Sequence, residues 1–195
     1  MNDATEFNHM YFERQAEAMA NAKHTKGGTL TEKAFAWIQQ EGAVLCEDFT
    51  LKCRLSEYVT PVAVLFPDLI AKINAVYVYS MGEQMQEELR KNDGISWKYC
   101  DTDTGKSALI IGISAEGLEA GAEYTQFLFM HELAHAATGD GHTTAFHEKL
   151  NGMIRTFNGE TGSNITNDLY GWPSRHDSMP YNPFAEDIPT IVNKP

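Results

Sequence analysis

The chain has 195 residues, of which 43% are hydrophobic, and a formal net charge of -12. That length suits one domain with a good core, or one domain plus an appendage. The acidity argues against nucleic acid as a partner, because a phosphate backbone calls for a basic stripe.

No apolar stretch approaches the ~20 residues of a membrane span, so no membrane association is expected. The opening MNDATEFNHMYFERQAEAMA lacks both the basic start and the apolar core of a secretory signal. Cys46, Cys53 and Cys100 are odd in number and form no CxxC pair. They read as buried, reduced thiols of a cytoplasmic protein.

Residues 3–23 place Phe7, Met10, Tyr11, Arg14, Ala18 and Ala22 at helical spacing, with Asp3 or Thr5 as N-cap. His9 and His24 read as solvent-facing. Lys26-Gly27-Gly28 is a break. Thr29-Leu30-Thr31-Glu32 is a capping box, predicting a helix through Gln40 that offers Phe35, Trp37 and Ile38 to the core. Gly42 is a natural stop. The apolar runs Val44–Cys46 and Val62–Phe66 suit either strand or buried helix. Pro67 suits the first turn of a helix reaching about Val76. Ser80-Met81-Gly82-Glu83 reads as a second capping box, with its helix ending near Lys91 before Asn92-Asp93-Gly94.

Ile95–Cys100 and Lys106–Ser114 read as a β-hairpin around the turn Asp101–Gly105. From Glu119 to Thr138 the pattern is helical, and Gly139 and Gly141 then allow a sharp turn. Thr143 or Thr144 can cap another helix. Its stripe Phe146, Leu150, Met153, Ile154 and Phe157 reads as core against the preceding helix. After Asn158 the composition shifts to Gly, Asn, Ser and Pro, predicting an irregular tail packed on the domain. Tyr170, Arg175, His176 and Tyr181 in that tail carry groups able to stabilise an oxyanion, but nothing in the sequence places them at a site.

The stretch His131-Glu132-Leu133-Ala134-His135 is an HExxH motif. Residues four apart on a helix share one face, so both imidazoles can address one zinc ion. Glu132 is rotated by roughly 100° from His131, beside the metal rather than on it. There it can act as general base toward a water whose pKa zinc lowers to about 7. Such a helix reads as mostly buried, and polar groups inside it need a reason. His142 follows the Thr-Gly-Asp-Gly turn and is the expected third ligand. Three alternatives stay open: Asp140 in the same loop, His147, and Glu148 on the next helix.

HExxH followed by His142-Thr143-Thr144-Ala145-Phe146 resembles the SprT-like and WLM-type zincin metallopeptidases, over roughly residues 108–157. The loop is one residue longer than is usual in that group, and the CxxC zinc ribbon of many SprT proteins is missing. The HELAHAATG run is more weakly similar to the ArdC-type metallopeptidase domain, which would make Glu148 or another downstream carboxylate the third ligand. The resemblance implies a zincin-like α+β fold, zinc as cofactor, and hydrolysis of a protein or peptide substrate by water that Glu132 activates. It also implies that the strand before the active-site helix, Ala108–Ile113, lies at a sheet edge and receives substrate as an added strand. The chain thus reads as an N-terminal helix (1–26), a catalytic domain (27–158) and a tail (159–195). The alternative is a binding or regulatory module that keeps the site without turnover.

Overall fold

The computed structural model describes residues 28–82, 92–139, 141–167 and 191–192. The expected N-terminal helix, the expected helix over 83–91, Asp140, and the tail residues Tyr170, Arg175, His176 and Tyr181 lie outside them. The described residues form a mixed α+β fold. Six helices pack on a small sheet: α1 Leu30–Gln40, α2 Phe49–Leu65, α3 Pro67–Ile70, α4 Ala115–Glu119, α5 Ala122–Thr138 and α6 Thr144–Thr161. The strands are β1 Ala43–Leu45, β2 Ala75–Met81, β3 Gly94–Cys100, β4 Ser107–Ser114 and the two-residue β5 Ile191–Val192.

Sheet order is β1-β2-β4-β3-β5. β2 runs parallel to β4, β1 is antiparallel to β2, and β3 is antiparallel to β4. Among the described residues, β5 pairs with β3 at Trp97 and Lys98. The sheet is buried on both faces. On one face Val76, Val78, Ile111 and Ile113 meet α2, α5 and α6. On the other Tyr77, Tyr79, Trp97 and Ile110 meet Phe35 and Ile38 of α1.

Local chemistry accounts for most elements. The capping box of α1 forms, with Glu32 N donating to Thr29 Oγ1 at 3.3 Å and Thr29 N donating to Glu32. Asp48 caps α2 by accepting from Thr50 N (2.7 Å) and Leu51 N. That resolves the second ambiguous run as helix: Leu55, Val59 and Val62 are buried at helical spacing. Pro61 sits inside α2. A proline there forfeits a backbone bond, at a cost of roughly 3 kcal/mol in an exposed helix; burial of this apolar stripe offsets it. The hairpin register is Cys100↔Ser107 to Gly94↔Ile113. Its turn is tied by Asp101, which accepts from Thr104 Oγ1 (2.8 Å) and Lys33 Nζ (3.0 Å).

Four expectations are corrected. The helix begun by Pro67 ends at Ile70, and Ala75–Met81 is strand. Both faces of β2 are apolar because both are covered, which erases the alternation that marks a strand. Ser80 and Met81 therefore belong to β2 and do not open a capping box. The helical region after the hairpin starts earlier, as the short α4, and breaks at Gly121 (φ 115°) before α5 begins at Ala122. Most consequential for function, β4 is internal, paired with β2 on one side and β3 on the other. Its run Ala108–Ile113 is continuously apolar because it is buried on both faces, as an interior strand must be. It offers no edge to a substrate.

The stripe on α6 is buried as expected, with Phe146, Leu150, Met153, Ile154 and Phe157 all in the main core. The helix runs past Asn158 to Thr161, and Gly162 ends it with φ 74°. Asn158 then docks the chain by exchanging two hydrogen bonds with the Ile165 backbone, at 2.7 and 3.0 Å. Phe157→Ala should lower the unfolding free energy by ~3–5 kcal/mol, the usual cost of emptying a buried phenylalanine site. A urea unfolding midpoint that stays at the parent value would contradict this packing.

Candidate metal centre

α5 and the loop after it build the site. His131 and His135 lie one turn apart on α5. The helix ends at Gly139 (φ 88°), and Gly141 (φ 107°) turns the chain again. Both values lie in the left-handed region that glycine adopts without penalty. The turn brings His142 back against α5. His142 Nε2 lies 3.1 Å from His131 Nε2, and His135 Nε2 lies 3.3 Å from that same atom. The three imidazoles form a group able to hold a metal ion, with donor atoms all within 4.8 Å of one another.

The protonation chemistry of this trio favours a cation. His131 Nε2 has either one hydrogen or one lone pair, yet two other ring nitrogens face it at hydrogen-bond distance. Neutral imidazoles satisfy one of those contacts well, not both. A central cation accepts all three lone pairs. Burial, with its neighbours His135 and His142, holds His131 well below the usual histidine range, which keeps the ring neutral and its lone pair ready. His131 Nδ1 is buried without a partner, and Nε2 is the ring atom that faces the other two histidines. His135 Nδ1 approaches Gly139 O at 3.4 Å.

Phe146 backs the cluster. Its ring centroid lies 4.9, 4.4 and 4.7 Å from those of His131, His135 and His142. It is the first stripe residue of α6, whose start Thr143 caps by accepting from Phe146 N. The same residue thus belongs to the core and limits how the three rings can turn.

Of the alternative ligands, His147 lies beside His142, with centroids 6.0 Å apart, and is outside the group. Glu148 is exposed on α6 and also outside it.

Glu132 is 5% exposed and turned toward β3. Ser96 Oγ donates to its Oε2 at 2.5 Å. Gly94, two residues earlier on the same face of β3, leaves room for its Oε1. The start of β3 is pinned in turn: Asp93 accepts from Ser114 Oγ (2.8 Å) and Tyr124 OH (2.9 Å), and its carbonyl accepts from Ser114 N. Sequence reading missed Gly94 and Ser96. The signal present was their alternation with the bulky Ile95 and Trp97, which marks a face of β3 kept small and polar.

Burial raises the Glu132 carboxyl to about 7, against a smaller lowering by Ser96. The folded, metal-free chain therefore holds this proton more tightly than the unfolded chain does. The contribution of Glu132 to stability therefore falls as pH rises from the unfolded value, about 4.5, through about 7. Glu132→Gln removes that loss. In metal-free protein the variant should match the parent near pH 4.5 and exceed it at pH 8 by on the order of 3 kcal/mol. Urea unfolding at the two pH values checks this; a gap that does not change with pH contradicts it.

Comparison with protein-family models, with curated proteins and with solved structures finds no match for this chain.

Proposed function

We propose that this protein is a zinc-dependent metallopeptidase, of the kind that the SprT-like and WLM-type zincins represent. The observation that carries the reading is the convergence of three Nε2 atoms from an HExxH helix and its following loop, with a buried carboxylate one residue from the first histidine. The spacing supports zinc in particular. A tetrahedral site with Zn–N of ~2.0–2.1 Å has nitrogen–nitrogen edges of about 3.3–3.4 Å. Two of the pairs here are at 3.1 and 3.3 Å. Three protein ligands leave one position open, as catalytic zinc sites do.

When bound, zinc supplies a water acidified to a pKa of about 7 and polarisation of the scissile carbonyl. The chain supplies the rest. His131, His135 and His142 are the ligand set. Glu132 takes a proton from the attacking water and later delivers it to the departing amine nitrogen. Phe146 keeps the imidazoles in place. A carboxylate at this position serves water activation and not metal binding, which favours an enzyme over a binding module that merely retains the site.

β4 is paired on both sides and is not the strand that receives substrate. The outer edge of β3 is taken by β5 at Trp97 and Lys98. The net charge of -12 speaks against nucleic acid as a partner. Cys46, Cys53 and Cys100 form no disulfide among the described residues, which suits a cytoplasmic protein, although they are half-buried or exposed and not buried as expected. No helix among the described residues is long and apolar enough to cross a membrane. The test is cleavage of an extended peptide library. Activity that a chelator removes and zinc restores is expected; a zinc-loaded protein that cleaves no peptide contradicts the reading.

A further inference from the structure

We infer that Gly94 and Ser96 of β3 are positioning residues that fix which oxygen of Glu132 faces the reaction, an inference that rests on the proposed peptidase chemistry. A glutamate side chain has three rotatable bonds, so its place beside the metal is not set by the helix alone. Two independent contacts set it here. Ser96 Oγ has one hydrogen and gives it to Glu132 Oε2 at 2.5 Å, while lying 3.3 Å from the Glu132 carbonyl oxygen. That hydroxyl ties the side chain to β3 through one named oxygen.

Gly94 constrains the other oxygen. A Cβ at this position would stand 2.9 Å from Oε1 and 3.3 Å from Cγ of Glu132. Gly94 is not among the glycines with positive φ, so its backbone does not call for glycine. Close approach of the carboxylate does. The register explains why these two residues act together. Gly94 and Ser96 pair with Ile113 and Ile111, whose side chains belong to the core that α5 shares. β3 thus turns its two small residues toward α5 at the level of Glu132.

The consequence is chemical. With Oε2 occupied by the serine hydroxyl, Oε1 is the oxygen that receives the proton of the attacking water and returns it to the leaving nitrogen. Losing the serine frees the carboxylate to rotate. Adding a methyl at residue 94 pushes Oε1 aside, and the fold tolerates that because the obstructing atom is the end of a flexible side chain.

The test compares zinc-loaded parent, Ser96→Ala and Gly94→Ala on one extended peptide, with bound zinc and melting temperature measured for each. Both variants should bind zinc stoichiometrically and keep KM within about twofold, while kcat falls by about 10- to 100-fold, the scale of a misplaced reacting group. In protein labelled with 13Cδ-glutamate, the Glu132 resonance, assigned by its loss in Glu132→Gln, should move in both variants at fixed pH. A role in packing alone would lower the melting temperature and leave kcat and that resonance unchanged, and that result overturns the inference. If the parent cleaves no peptide, the peptidase reading fails on its own account. The carboxylate resonance then decides the clamp separately: movement in both variants supports it, and no movement overturns it.

Discussion

Glu132→Gln should leave zinc stoichiometric and reduce peptide hydrolysis by at least ~10²-fold, the low end for losing a general base. In barrier terms that is about 2.7 kcal/mol. Glutamine keeps the volume of the side chain and still accepts from Ser96 through its amide oxygen, so the fold beside β3 has no cause to rearrange. It cannot take the proton of the attacking water. The ligand set lies outside the substitution, since the three imidazoles alone form the metal-holding group among the described residues. Metal analysis and cleavage assays on one preparation separate the two roles. Full activity with the glutamine in place would remove Glu132 from the chemistry.

His142→Ala should cost zinc affinity by more than ~10²-fold, beyond the 10- to 100-fold typical of changes outside the ligand sphere. His142 is the only member of the trio held by a loop, and Gly139 and Gly141 create the turn that returns it to α5. Removing its ring leaves two ligands on one helical face, too few for a tight site. His147→Ala and Glu148→Ala should bind zinc like the parent, because neither joins the group. Competition titration against a chromogenic chelator ranks all three. Parent-like affinity in His142→Ala, with loss in either of the others, would show the loop to be only a connector.

Much of this site is legible in the sequence because its determinants are local. Four-residue spacing puts His131 and His135 on one face whatever the rest of the fold does. Gly139 and Gly141 announce the reversal that returns His142, and the stripe from Phe146 to Phe157 fixes which face of α6 turns inward. The two residues against Glu132 were not readable for the opposite reason. Ser96 and Glu132 are 36 residues apart and meet only because β3 crosses α5. A glycine and a serine in a strand carry no mark of what will face them.

The sheet was misread for a related reason. Residues 75–79, Ala-Val-Tyr-Val-Tyr, bury both faces, so the period that signals a strand is absent. With β2 unrecognised, nothing in the sequence opposed the edge position that the resemblance implies for β4. Its true position follows from the parallel pairing Ala75↔Ile110 to Tyr79↔Ser114, a contact that no local pattern encodes. Pro61 and Pro67 have opposite places in the helices. One sits inside the long helix α2, and the other opens a helix of only four residues.

The central claim is that His131, His135 and His142 hold a zinc ion with one position left open. X-ray data from zinc-loaded crystals, collected on both sides of the zinc absorption edge, test it most directly. The account predicts one strong anomalous peak per chain, ~2.0–2.1 Å from each of the three Nε2 atoms, with no fourth protein ligand. A peak elsewhere, or a fourth side chain closing the site, would contradict it.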